Sequence, residues 1–68
     1  MQLVKLPFKE PQMDESQRGI NIARFLKEQG LVMNKDFTWA VRPMDRELHF
    51  YFNRDAEMWA TMLTMREL

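Results

Sequence analysis

The strongest constraint on this chain is a pair of alternating stretches separated by one short turn. From Asp36 to Arg42, Phe37, Trp39 and Val41 alternate with Thr38, Ala40 and Arg42. From Glu47 to Asn53, Leu48, Phe50 and Phe52 alternate with Glu47, His49, Tyr51 and Asn53. A period of two is the signature of a strand with one covered face. Pro43-Met44-Asp45-Arg46 between them is turn chemistry, with proline suited to the first corner. A four-residue loop sets Arg42 opposite Glu47, Val41 opposite Leu48, Trp39 opposite Phe50 and Phe37 opposite Phe52. Every large apolar side chain then falls on one face, and a slip of one residue would scatter them.

The rest of the chain is read around this hairpin. Gln2 to Phe8 is a further strand, with Val4, Leu6 and Phe8 on one face and Leu3, Lys5 and Pro7 on the other. Lys9 to Met13 reads as a loop. Asp14 is placed to cap a helix, and Gln17 three residues on to reach back to it. Ile22, Ala23, Phe25 and Leu26 form its apolar stripe, while Arg18, Asn21, Arg24 and Glu28 are read as facing away. Gly30 ends the helix as a left-handed residue, and Gly19 weakens its start by about 1 kcal/mol relative to Ala. Asn53 or Asp55 begins a last helix, with Asp55 and Glu57 at its start and Arg66 near its end, as the helix dipole prefers. Its apolar set of Ala56, Met58, Trp59, Ala60, Met62, Leu63 and Met65 covers more of the circumference than one sheet-facing stripe needs.

The order β-α-β-β-α predicts one α+β domain over 1–68: a three-stranded antiparallel sheet, strand order 1-3-2, with both helices on one face. In topology it resembles a ferredoxin-like split unit lacking its fourth strand. That resemblance implies a fold and carries no function.

Composition removes several function classes. The 68 residues contain no cysteine and one histidine, so neither a disulfide nor a tetrahedral zinc shell is expected. A domain this short buries about 60% of the surface of its unfolded chain, which leaves tight packing or self-association as reinforcement. Ten basic residues balance ten acidic ones, whereas nucleic-acid binders usually carry a basic excess. No apolar run approaches bilayer length, and Lys5, Lys9 and Glu10 interrupt the N-terminal apolar stretch, so cytoplasmic residence is expected. The two glycines, Gly19 and Gly30, make no phosphate-binding loop. Ser16 and His49 lie on different elements with no sign of a triad, and the Asp14–Glu15 and Asp55–Glu57 carboxylates read as helix starts. No enzyme, cofactor or metal is therefore expected.

What remains is binding. The seven methionines suit both irregular cores and adaptable protein surfaces. Trp59 and Met62 are assigned to the core. Met58 and Met65 are assigned to a partner surface, together with Leu3 and Lys5 on the first strand, whose outer edge lacks a neighbour. The expected function is a small regulator, adaptor or inhibitor of the kind common in microbes and their viruses. It docks on a larger protein, and a second copy is the simplest partner. A rival reading takes Thr38, Arg42, His49 and Tyr51 on the outer sheet face, beside Lys5, as a platform for single-stranded nucleic acid. A third makes the chain a structural subunit of a larger assembly.

Overall fold

In the structure, a computed structural model describing residues 1–9 and 14–68, the hairpin has the register that its alternation dictates. Strands β2 (Phe37–Arg42) and β3 (Glu47–Phe52) pair antiparallel, with Arg42 opposite Glu47, Trp39 opposite Phe50 and Phe37 opposite Phe52. The turn closes through Asp45 N–H to the Arg42 carbonyl at 3.2 Å, and Arg46 takes a left-handed φ of 56°. Strand β1 (Gln2–Pro7) pairs antiparallel with β3 on its other side, giving the order β1-β3-β2. Helix α1 (Glu15–Glu28) connects β1 to β2, and α2 (Ala56–Met65) follows β3. The element order, sheet order and antiparallel pairing all agree with the sequence reading. Most of the loop read from Lys9 to Met13 lies outside the described residues.

Both helices cover one face of the sheet. Val4, Leu6, Phe37, Leu48, Phe50 and Phe52 from the strands meet Ile22, Ala23, Leu26, Ala56 and Leu63 from the helices in one buried cluster. Each fully buried Leu, Ile or Phe side chain contributes roughly 1.5–3 kcal/mol. An aromatic row crosses this layer. Trp39 stacks on Phe50 at 5.6 Å between centroids and 8° between planes, Phe50 neighbours Phe52 at 6.4 Å, and Phe52 stacks on Trp59 at 6.3 Å. Trp39 and Trp59 sit at the two ends of the row and are only partly buried.

Four local readings need correction. Arg18 is not outward-facing: it is buried, with Nη1 donating to Glu15 Oε1 at 2.7 Å and to the Pro7 carbonyl at 3.1 Å, and Nη2 donating to a main-chain oxygen of Leu68 at 3.1 Å. One guanidinium thus joins the end of β1, the first turn of α1 and the residues after α2. Asp14 does cap α1, accepting from Gln17 N–H, but the Gln17 side chain reaches forward to Asn21 Oδ1. Gly19 is a packing requirement rather than a weak start. A Cβ there would lie 2.0 Å from the Trp39 ring, so the bare backbone of α1 is what lets the indole lie between helix and sheet. Asp55 is the first residue of the α2 cap but its side chain caps nothing; the Ala56 N–H is met instead by Gln2 Oε1 from β1, at 3.1 Å.

Candidate functional site

The surface where β1 meets α2 gathers the residues assigned to a partner. The alternation of β1 turns Leu3, Lys5 and Pro7 to the outer face, all exposed, and Leu3 is 42% exposed. Met58, in the first turns of α2, is 48% exposed and lines one shallow depression with Gln2, Leu3 and Glu57. Met65 lies seven residues after Met58, on nearly the same side of the helix, and is 78% exposed. Trp59 is partly buried and packs against the core cluster, whereas Met62 is only half-buried at the helix side. The structure therefore brings Leu3 and Met58 together, with Met65 two turns further along and Lys5 beside Leu3 on the strand.

Met58 is held in place by the local fold. Ala56 is buried against the core and its N–H is bonded to Gln2, so the first turn of α2 is tied to the first residue of β1. Leu3 is the next residue on that strand. The juxtaposition follows from the sheet order, because β1 and α2 are neighbours only if β1 pairs with β3.

The outer sheet face is built differently from the nucleic-acid reading. Thr38, Arg42, His49 and Tyr51 all lie on it, opposite the helices. His49, however, is 5% exposed. It sits in the central strand, flanked in register by Lys5 and Ala40 and along the strand by Glu47 and Tyr51. Its Nε2–H donates to Glu47 Oε1 at 3.0 Å, and its ring meets the edge of Tyr51 at 6.3 Å and 72°. Nδ1 is buried with no hydrogen-bond partner among the described residues. Arg42 is engaged by Asp45 at 3.5 Å. Of the four residues, Tyr51 is the one aromatic ring offered at all, and it is half-buried.

Asp45, Glu47 and His49 form a cluster that sequence reasoning missed. One potential ligand atom from each lies within 4.8 Å of the others. The signal was present: residues two apart on a strand share a face, and a turn residue next to that strand can reach the same end. A cation bound there would have to break the Glu47–His49 hydrogen bond and displace the Arg42 guanidinium from Asp45, with Lys5 across from His49. Instead Glu47 accepts from His49, and Asp45 pairs with Arg42.

No helix among the described residues is long and apolar enough to cross a membrane. Comparison with protein families, characterised proteins and solved structures finds no match to this chain.

Proposed function

We propose that this chain is a non-catalytic interaction module, a small regulator, adaptor or inhibitor that docks on a larger protein through the surface formed by β1 and α2. The observation that carries the reading is the meeting of Leu3 and Met58 in one depression, each near half exposed, continued by Met65 along the same helix side. Single exposed apolar residues are ordinary, but a contiguous group rimmed by charge marks an interface. Methionine and leucine provide adaptable, weakly directional contact, and Lys5, Asp55 and Glu57 supply a polar rim.

The nucleic-acid platform draws less support. Its histidine is enclosed, its arginine is paired, and Glu47 places a negative charge beside that histidine at the turn end of the face. Phosphate binding would have to overcome that charge in a chain with no basic excess.

A photo-reactive residue placed at Met58, at Met65 or at Met44 tests the proposal in the native host. Met44, in the hairpin turn and 95% exposed, is the control. The expected outcome is one discrete protein adduct from positions 58 and 65 and none from 44. Affinity for that protein should fall by at least about tenfold, near 1.4 kcal/mol, in Met58→Lys. Equal labelling from all three positions, or full affinity in Met58→Lys, would remove the proposed surface.

A further inference from the structure

The sheet has a second open edge, along β2, and it differs from the first. Among the described residues, strand order β1-β3-β2 leaves β2 with a neighbouring strand on one side only. Natural edges are usually defended by proline, lysine or inward charge. Strand β1 has Lys5 and Pro7, and the Pro7 carbonyl is already occupied by Arg18. Strand β2 reads Phe-Thr-Trp-Ala-Val-Arg, with no proline and no charge before its last residue.

The backbone shows which groups that edge offers. Just before β2, the Asp36 carbonyl accepts from Asn53 N–H, on the β3 side. Successive residues of a strand direct their N–H and C=O groups to opposite sides. Thr38, Ala40 and Arg42 therefore face β3, and Phe37, Trp39 and Val41 face the open edge. The Phe37 carbonyl agrees: it accepts from Asn34 N–H at 2.6 Å, outside the sheet, and Met33 bridges to Phe37. One end of the edge is thereby closed. Trp39 and Val41 remain, with two donors and two acceptors directed outward.

We infer that this edge pairs with the same edge of a second copy, antiparallel about a two-fold axis through Ala40, giving a continuous six-stranded sheet. In that register Trp39 of one copy exchanges both hydrogen bonds with Val41 of the other, and the reverse, so all four outward groups are used. The side chains agree with it. Trp39 beside Val41 is an aromatic–β-branched pair, Thr38 meets Arg42, and no like charges are paired between the two strands. Ala40, exposed and small, lies on the axis where two Cβ atoms approach most closely. A register centred on Trp39 would need the Phe37 carbonyl that Asn34 already holds, and one centred on Val41 would set Pro43, which has no N–H, opposite Trp39. The helix side of the edge carries apolar surface beside two cations: Ile20, 44% exposed, lines a depression with Met33, Trp39, Arg24 and Lys27, and the adjoining Val32 is 53% exposed. Pairing would cover these residues and leave the Leu3–Met58 surfaces free at the two far ends of the extended sheet. The inference stands apart from the partner reading, since it concerns the opposite edge.

The test is the mass in solution, by sedimentation and light scattering, of wild type, Ala40→Lys, Val41→Pro and Met58→Lys. Wild type should reach twice the chain mass with rising concentration. Ala40→Lys sets like charges together on the axis, and Val41→Pro removes an edge-facing N–H without touching the β3 ladder; each should weaken association at least about tenfold while Met58→Lys does not. Amide exchange on wild type supplies a second reading that needs no variant to fold: the Trp39 and Val41 N–H groups should become protected as concentration rises. A wild type that stays monomeric, or association lost in Met58→Lys and kept in Ala40→Lys, or Trp39 and Val41 amides left unprotected in the associated form, would each overturn the inference.

Discussion

Helix α1 carries at both ends the residue types that helix ends favour. Asp14 accepts from the Gln17 N–H at its start. At its finish Gly30 takes φ 96°, Gly30 N–H bonds the Lys27 carbonyl and Leu31 N–H bonds the Leu26 carbonyl, which is a Schellman closure on glycine. Helix α2 has the same architecture with less suitable residues. Asp55 stands at its N-terminal cap in the left-handed region, φ 62°, with no side-chain cap. Its C-terminal closure, Glu67 N–H to Thr64 and Leu68 N–H to Leu63, places Glu67 at φ 57° where glycine is usual. What compensates comes from elsewhere in the chain: Gln2 on the Ala56 N–H, Lys9 Nζ on the Glu67 carbonyl at 2.7 Å, Arg18 on Leu68, and the Arg66 guanidinium over the Phe25 ring at 4.7 Å. One helix is specified locally, and the other is held by the tertiary structure. That places α2, which bears Met58 and Met65, among the elements whose order depends most on distant contacts.

The difference can be broken most severely at Arg18. Its removal leaves the Glu15 carboxylate, 9% exposed, without its cation and two main-chain oxygens without a donor. Breaking a buried pair from one side costs about 3–5 kcal/mol, so Arg18→Met should cost at least about 3 kcal/mol in chemical denaturation. Amide exchange should show the end of α2 opening before the middle of α1. If Leu68 and the last turn of α2 keep their protection, the guanidinium does not hold α2 in place.

Gly19→Ala sharpens the comparison from the other side. Helix propensity alone gives a gain of about 1 kcal/mol. The Trp39 ring in contact with the backbone gives the opposite sign, because a Cβ would force the indole off Phe50. Overpacking of this kind costs about 1–3 kcal/mol. The expected outcome is a lower denaturation midpoint and altered Trp39 fluorescence; a raised midpoint would mean that the ring moves aside freely.

The smallest effects lie at the two C-terminal closures and should have opposite signs. Gly30→Ala has open space around it but imposes a left-handed conformation on a side chain, costing about 1–2 kcal/mol. Glu67→Gly relieves the same strain in α2 and should raise stability by up to about 1 kcal/mol. Two changes of the same sign in thermal melting would show that the helix ends do not differ in the way described.

Much of the fold was legible in the residues themselves. The order β1-β3-β2 follows from the rules of chain connection, while the hairpin register, the Asp14 and Gly30 boundaries and the exposure of Met58 and Met65 rest on periodicity or on neighbours three to five residues apart. Such signals are written locally, because a strand repeats every two residues and a helix every 3.6. The proposed docking surface was legible in part: Leu3 and Met58 could each be read as exposed, but their meeting depends on α2 packing beside β1. The burial of His49 and its bond to Glu47 were not read, since burial on an uncovered sheet face is decided by which side chains flank it across the strands.

By itself, then, the sequence determined the elements, their pairing and a residue set without cysteine. Only the tertiary structure decided the role of residues whose partners are far along the chain. Arg18 finds Leu68 across 50 positions and Gln2 finds Ala56 across 54, while Gly19 acquires its reason from Trp39. No local pattern encodes these meetings. They exist because folding brings two helices onto one face of a three-stranded sheet, where a buried cation must find its acceptors and an indole must find a gap in the helix backbone.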